Sequence, residues 1–207
     1  MRTTLFCLSQ RSPILGFVAF SALLLSSCVS DRFLPKHTYD RMIRAYSTDS
    51  ATGGISKSVM EGQEVRFEAV RKAEADGQIE SADDHLWSAA IIVTSDDVAD
   101  LELAHELAEE ANRLGEARGL MVAAEAIDLL AIKHGMPQKY GTQLRFEPVL
   151  GIWKLHNVDP RTTDDERVRM GLPTMAEIQL ELERRNSSPM TERMRERLQV
   201  GWSQAQS

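Results

Sequence analysis

Between Ser95 and Pro137 apolar side chains recur every three or four residues through two consecutive runs, broken only around Gly115. In the first run Val98, Leu101, Ala104, Ala108 and Ala111 fall on one face of a helix, widened by Leu107 and Leu114. Ser95-Asp96-Asp97 places capping oxygens ahead of it, and Gly115 stands at the expected stop. The second run, about Ala117–His134, turns Leu120, Ala123, Ala124, Ile127, Leu130 and Ala131 inward, and Gly135-Met136-Pro137 ends it. Helices joined by so short a turn pack side by side in opposite directions, so the spacing predicts an antiparallel αα-hairpin.

The flanking segments extend a helical domain. Lys57–Asp76 brings Met60, Phe67, Val70 and Ala73 near one face, with Gly77 as a stop, and Ser81 offers an N-cap for the apolar stretch His85–Val93. After Pro137 the texture changes. Gln138-Lys139-Tyr140-Gly141-Thr142-Gln143 reads as a polar turn, and Leu144, Phe146 and Val149–Leu155 suit a short β-hairpin bent near Pro148 and Gly151. Thr163-x-x-Glu166 and Thr174-x-x-Glu177 are capping-box patterns, each opening a further helix. The expected fold class is therefore mainly α, with an antiparallel αα-hairpin and a small β-hairpin insertion.

The first 28 residues carry an address. Arg2 and Arg11 precede the apolar run Ile14–Leu25, and Ser26-Ser27 stand directly before Cys28. Charged start, short apolar stretch and small residues at a cleavage point are the layout of a secretory signal. A run of twelve residues is too short for the roughly 20 that span a bilayer. Leu25-Ser26-Ser27-Cys28 resembles a bacterial lipoprotein lipobox, which implies removal of residues 1–27 and acylation of Cys28, with palmitate among the chains. Two or more acyl chains give stable anchoring where one does not. Val29 after the cysteine, rather than Asp, resembles lipoproteins sent to the outer membrane of a two-membrane host, where this one would face the periplasm. Residues 28–56, polar and small around Gly53-Gly54, read as a lipidated N-terminus and tether, within which Phe33, Leu34, Tyr39, Met42 and Ile43 could dock a short helix.

Composition then removes several function classes. Cys7 and Cys28 are the two cysteines; the first leaves with the signal and the second would carry lipid, so no thiol remains for a disulfide, a metal site or a nucleophile. The net charge of −7 becomes −9 once Arg2 and Arg11 are removed. A body that acidic argues against nucleic acid as a partner and against a second, electrostatic grip on anionic lipid. His37, His85, His105, His134 and His156 are scattered without HxxxH or HExxH spacing, so neither a metal site nor another cofactor is expected.

The segment from about Ser88 to Glu183 resembles a bacterial family of unknown function, catalogued as DUF6624. The resemblance rests on Ala89-Ala90-Ile91-Ile92 leading to Ala104-His105-Glu106-Leu107-Ala108, on Ala126-Ile127-Asp128, on Gln138-Lys139-Tyr140-Gly141-Thr142-Gln143, and on Asp159-Pro160 through Asp164-Asp165-Glu166-Arg167 to Gly171-Leu172-Pro173. It implies a helical domain over 57–186 and supplies no activity. Members often carry Gln-His where this chain has Thr94-Ser95, and Asp-Arg where it has Asp128-Leu129. A site built on that His and Arg is incomplete here.

Two polar segments are candidate sites. Gln138, Tyr140, Gly141, Thr142 and Gln143 could rim a ligand, with amide, hydroxyl and phenol groups and a glycine letting backbone approach. The plainer reading is an ordered turn whose side chains satisfy backbone groups past a helix end. Asp159, Asp164, Asp165, Arg161, Arg167 and Arg169 could supply acid–base chemistry or bind an anion, of which Asp159 and Arg167 are the candidates for ligand contact. Alternatively they are a capped helix start with acids at its positive end and arginines toward its negative end. The last segment, 187–207, reads as an amphipathic helix with Met190, Met194 and Leu198 four apart.

The expected function is that of a lipid-anchored envelope protein acting as a binding module, with the membrane as one partner and an envelope protein or small polar ligand as another. One alternative is an envelope hydrolase using Asp or Glu as base, with Tyr140, Gln143 or Arg167 orienting substrate. Another is a tetratricopeptide-like adaptor built on the 96–134 hairpin, against which stands the lack of a 34-residue repeat.

Overall fold

The computed structural model describes residues 33–52, 57–188 and 191–193. In chain order these form α1 (Pro35–Thr52), α2 (Lys57–Ala75), α3 (Ala82–Ile92), α4 (Val98–Arg113), α5 (Gly119–Lys133), β1 (Leu144–Glu147), β2 (Ile152–Leu155), α6 (Asp164–Arg169) and α7 (Met175–Asn186). The protein is mainly α-helical with one small antiparallel sheet, as the periodicity predicts.

The α4–α5 hairpin forms the centre. Leu101, Ala104, Ala108 and Ala111 of α4 are buried with Ala123, Ala124 and Ala126 of α5. Small facing residues let the helices approach closely, and Gly119 shows how closely. A Cβ there would lie 2.3 Å from the Ala108 carbonyl oxygen and 3.2 Å from the Ala111 Cβ. The hairpin starts its second helix at Gly119 because only glycine fits against the end of α4. Asp97, not Ser95, is the N-cap of α4, accepting the Ala99 N–H at 2.8 Å. Ser95 turns inward instead.

Burial along α5 departs from a single apolar stripe. Leu120, Ile127, Leu130 and Ala131 are half-buried, whereas Ala126 and Asp128 are fully enclosed. The physical reason is that α5 is covered twice, by α4 on one side and by the 138–143 turn on another.

Helix α3 packs on α4, and α1 and α2 pack on α3. Its N-terminus carries the reciprocal Ser81–Asp84 capping box, and Ile91 and Ile92 are sealed in the core beside Val70 and Phe67 of α2. Helix α1 is the docked helix that the apolar residues of 33–43 allow within 28–56. From Pro35 to Thr52 the chain is helical, Met42 is buried, and the Tyr39 ring lies 4.9 Å from that of Trp87 on α3. Tyr39 and Met42 are three residues apart, one helical turn, so the polar helix presents a narrow apolar edge to α3. Cys28 and the signal segment lie outside the described residues, as does most of 187–207, of which 191–193 are helical.

β1 and β2 pair antiparallel, Leu144 opposite Leu155 and Phe146 opposite Trp153, with those two rings edge to face at 5.4 Å. Gly151 takes a φ of 61° to close the turn. The free edge of β2 is covered by one side chain. Asn186 at the end of α7 accepts the Trp153 N–H at 2.7 Å and donates to the Trp153 carbonyl at 3.0 Å, as a third strand would. Thr163–Glu166 and Thr174–Glu177 both form the reciprocal capping boxes their spacing predicts.

Candidate functional site

The site is built around one carboxylate. Asp128 lies on α5 with no solvent exposure. Its Oδ1 accepts the backbone N–H groups of Lys139 at 2.6 Å and Tyr140 at 2.7 Å. Its Oδ2 accepts the N–H of Thr142 at 2.8 Å and the Thr142 hydroxyl at 2.9 Å. A turn leaving a helix has backbone donors without partners, and a buried anion is a strong acceptor for them. Gly141, at a φ of 82°, lets the chain reverse between the two sets of bonds.

Gln138 secures the same turn from within. Also fully buried, it donates through Nε2 to the Gln143 and His156 carbonyls at 3.1 and 3.0 Å, and accepts the Gln143 N–H at 2.8 Å. Its own backbone bridges to 157–159: the Gln138 N–H donates to the Asn157 carbonyl, and the Asp159 N–H to the Gln138 carbonyl, both at 2.8 Å. Arg167 braces from α6. Its buried guanidinium donates to the Tyr140 carbonyl at 3.1 Å, the Thr162 carbonyl at 3.2 Å and Asp164 at 3.1 Å. Asp164 in turn accepts the Met175 N–H at 2.8 Å, tying the start of α7 to the same brace.

The sequence-predicted residues thus divide. Gln138, Tyr140, Gly141, Thr142, Gln143 and Arg167 are brought into one network around Asp128. The polar atoms of Gln138 and Arg167 are engaged with backbone and Asp164, and the Tyr140 ring is buried with the Lys139 ammonium 4.8 Å from its centre. Asp159 joins only through its N–H. Its carboxylate accepts from the backbone and guanidinium of Arg161, which holds it down at a pKa of about 2.

Gln143 remains half-exposed, its amide donating to the Thr142 hydroxyl at 3.0 Å. It also faces Glu125, one turn before Asp128 on α5. Burial raises the Glu125 pKa above the ordinary 4.5, Gln143 opposes that as a hydrogen-bond donor, and the neighbouring charge of Asp128 adds to the rise. Glu125 and Asp128 escape a sequence reading of this turn. The available signal is two acids three apart on a helix whose other faces are apolar, directly before a polar turn.

Beside the turn lies a cleft of about 290 Å³, mainly apolar. Tyr140, Gly141 and Thr142 line it together with Leu172, Pro173 and Ile178, and Glu177 and Glu181 also border it. Asp159 and Gln143 do not line this cleft.

A second, polar cleft of about 500 Å³ lies between α2 and the α3–α4 connection. Arg71 there donates to both oxygens of the buried Asp100, at 2.9 and 2.8 Å, and pairs with Glu64. Ser95, free of capping duty, donates to Asp100 at 2.6 Å. This group pins α2 to the start of α4. Among the described residues no group of three His, Cys, Asp or Glu side chains could hold a metal ion.

No protein-family model, curated protein or solved structure matches the chain.

Proposed function

We propose that this chain is a lipid-anchored protein of the bacterial envelope whose helical body is a binding module, with the cleft between the 138–143 turn and α7 as its recognition surface. The observation that carries the reading is the way the turn is held. Asp128, Gln138 and Arg167, all buried, fix the backbone of one cleft wall from three sides. A wall ordered before binding loses little entropy when a ligand arrives. The volume and the apolar lining suit a small group, such as an aliphatic or aromatic side chain or the apolar end of a small molecule. The anchor is supported by the order of charged start, short apolar run and Ser26-Ser27-Cys28. Among the described residues no helix is long and apolar enough to cross a membrane.

The test of the binding reading is a small-fragment screen by methyl NMR. Binders should shift the methyl resonances of Ile178 and Leu172, and Ile178→Trp, which fills the cleft, should abolish the Leu172 shift while leaving the fold intact. Binders that ignore both methyls would refute it. The anchor has its own test: Cys28→Ser should lose acyl label and leave the membrane fraction, and unchanged fractionation would refute lipidation.

A second reading is favoured by Glu125. A carboxyl group with a raised pKa, facing an amide beside a hydroxyl, is the pattern of a general acid or base. On this reading the protein is an envelope hydrolase with Glu125 as the proton-transferring group and Gln143 orienting substrate. Glu125→Gln abolishing turnover, in an activity found by screening esters and amides against the lipidated protein, would support it.

A further inference from the structure

An acidic chain conceals one basic face. Along the first three turns of α1, Leu34, His37, Arg41 and Arg44 are exposed and fall at intervals of three or four residues, a single stripe on the outer side of the helix. Lys36 and Ile43 are exposed too but lie around the helix toward Tyr39, and Lys36 pairs with Asp40 at 3.1 Å. Within 33–44 the formal charges are Lys36, Arg41 and Arg44 against Asp40 alone, in a chain whose net charge is −7. Two of the larger exposed apolar side chains, Leu34 at 58% and Ile43 at 43%, belong to this same stretch. The opposite side of α1 is committed to the body: Met42 is buried, and Tyr39 lies on Trp87, over whose ring Lys36 and Arg118 also sit at 5.3 and 5.2 Å.

Position along the chain says what covers this face. Pro35, the first residue of α1, is seven residues beyond Cys28. Seven residues reach at most about 25 Å when fully extended. With Cys28 as the anchor, the start of α1 stays within that reach of the lipid surface.

We propose that the outer face of α1 lies on the anionic phospholipid surface to which Cys28 is anchored, with Arg41 and Arg44 among the headgroups and Leu34 at the acyl boundary. This rests on the anchor reading and adds an orientation to it. An amphipathic helix with basic and apolar side chains on its outer side binds such a surface in the plane of the interface. Each basic side chain close to it is worth about fivefold in partitioning. The acidic remainder of the body is then repelled by the same surface, so charge holds this one face toward the lipid and the cleft beside α7 open to its ligand.

The experiment uses the mature lipidated protein reconstituted in vesicles of phosphatidylethanolamine with phosphatidylglycerol, and in vesicles of phosphatidylcholine alone. Acylation of Cys28 and loss of Cys7 with the signal leave an introduced cysteine as the only thiol to label. A fluorophore on His37→Cys should be quenched by headgroup-spin-labelled lipid several-fold more than one on Leu180→Cys, an exposed position of α7. The excess should shrink in phosphatidylcholine and at high salt, and in the Arg41→Glu/Arg44→Glu variant, whose retained helicity is checked by circular dichroism. Equal quenching at 37 and 180 in protein that floats with the vesicles overturns the orientation while leaving the anchor standing. Protein that carries no acyl chain and does not float overturns the anchor, and the orientation with it.

Discussion

Asp128 and Thr142 are joined twice, the carboxylate Oδ2 taking the Thr142 N–H at 2.8 Å and its hydroxyl at 2.9 Å. The hydroxyl then accepts the Gln143 amide at 3.0 Å. Through that chain one fully buried acid on α5 sets the position of Thr142, which lines the cleft, and of the half-exposed Gln143 amide beside it. Because Oδ1 is engaged by Lys139 and Tyr140 as well, the carboxylate has no capacity left over for a ligand. Asp128 is a positioning residue.

Asp128→Ala should cost about 3 kcal/mol or more, since it leaves three backbone N–H groups of the turn without an acceptor. Asp128→Asn should cost nearly as much despite its shape, because one oxygen facing those donors becomes an NH2. Urea denaturation measures both, and amide exchange should show Lys139, Tyr140 and Thr142 losing protection together. An Asn variant as stable as the wild type would contradict this picture of the turn.

Gln138 and Gln143 should separate in the same assay. Gln138→Leu strands the His156 carbonyl and the Gln143 N–H, while the Gln143 carbonyl keeps the His156 N–H, for a loss of roughly 2–3 kcal/mol. Gln143→Ala removes a half-exposed side chain that bonds only to Thr142 and Glu125 and holds no backbone group, and should cost under about 1 kcal/mol. Similar losses for the two would mean that Gln143 also holds the fold rather than facing outward.

Much of this arrangement was legible from local sequence, and what was not has a common cause. The capping boxes at Thr163 and Thr174, the stop at Gly135 and the bend at Gly151 are decided by residues a few positions apart, so spacing reveals them. Asp128 bonds to groups 11 to 14 residues away, and Arg71 to Asp100 across 29. An aspartate that will be buried looks the same in sequence as one facing water. Helix α1 was half visible: Phe33, Leu34, Tyr39, Met42 and Ile43 allow a docked helix, while Lys36, Arg41 and Arg44 give the segment the polarity of a linker. Gly119 could be read as a weak helix position, yet its real constraint is the Ala108 carbonyl on the neighbouring helix.

That contact gives the next prediction. Gly119→Ala should destabilise by about 1–3 kcal/mol, because the new Cβ can be accommodated only by moving α5 away from the Ala-rich face of α4. Gly77→Ala is the control. Gly77 has a φ of 64° with no atom within 4 Å of the added Cβ, so its cost is backbone strain alone, about 1 kcal/mol. Thermal unfolding that ranks Gly77→Ala as the more damaging would contradict the close approach of the two helices.

Glu125 governs a pH dependence. Burial raises its folded-state pKa above 4.5, so between that value and the raised one the folded protein holds a proton that the unfolded chain has released. Stability from this group therefore falls as pH rises through that window, opposite in sign to Asp159, whose pKa of about 2 makes its ion pair with Arg161 favourable at every pH above 4. Glu125→Gln keeps the shape, removes the titration and leaves no charge to bury at neutral pH. The variant should be more stable than the wild type at pH 7, with the gap closing as pH falls toward 4. Denaturation midpoints across that range measure it. A variant less stable at neutral pH would show instead that the Glu125 charge is favourably held by Gln143, and the raised pKa on which its acid–base role depends would go with it.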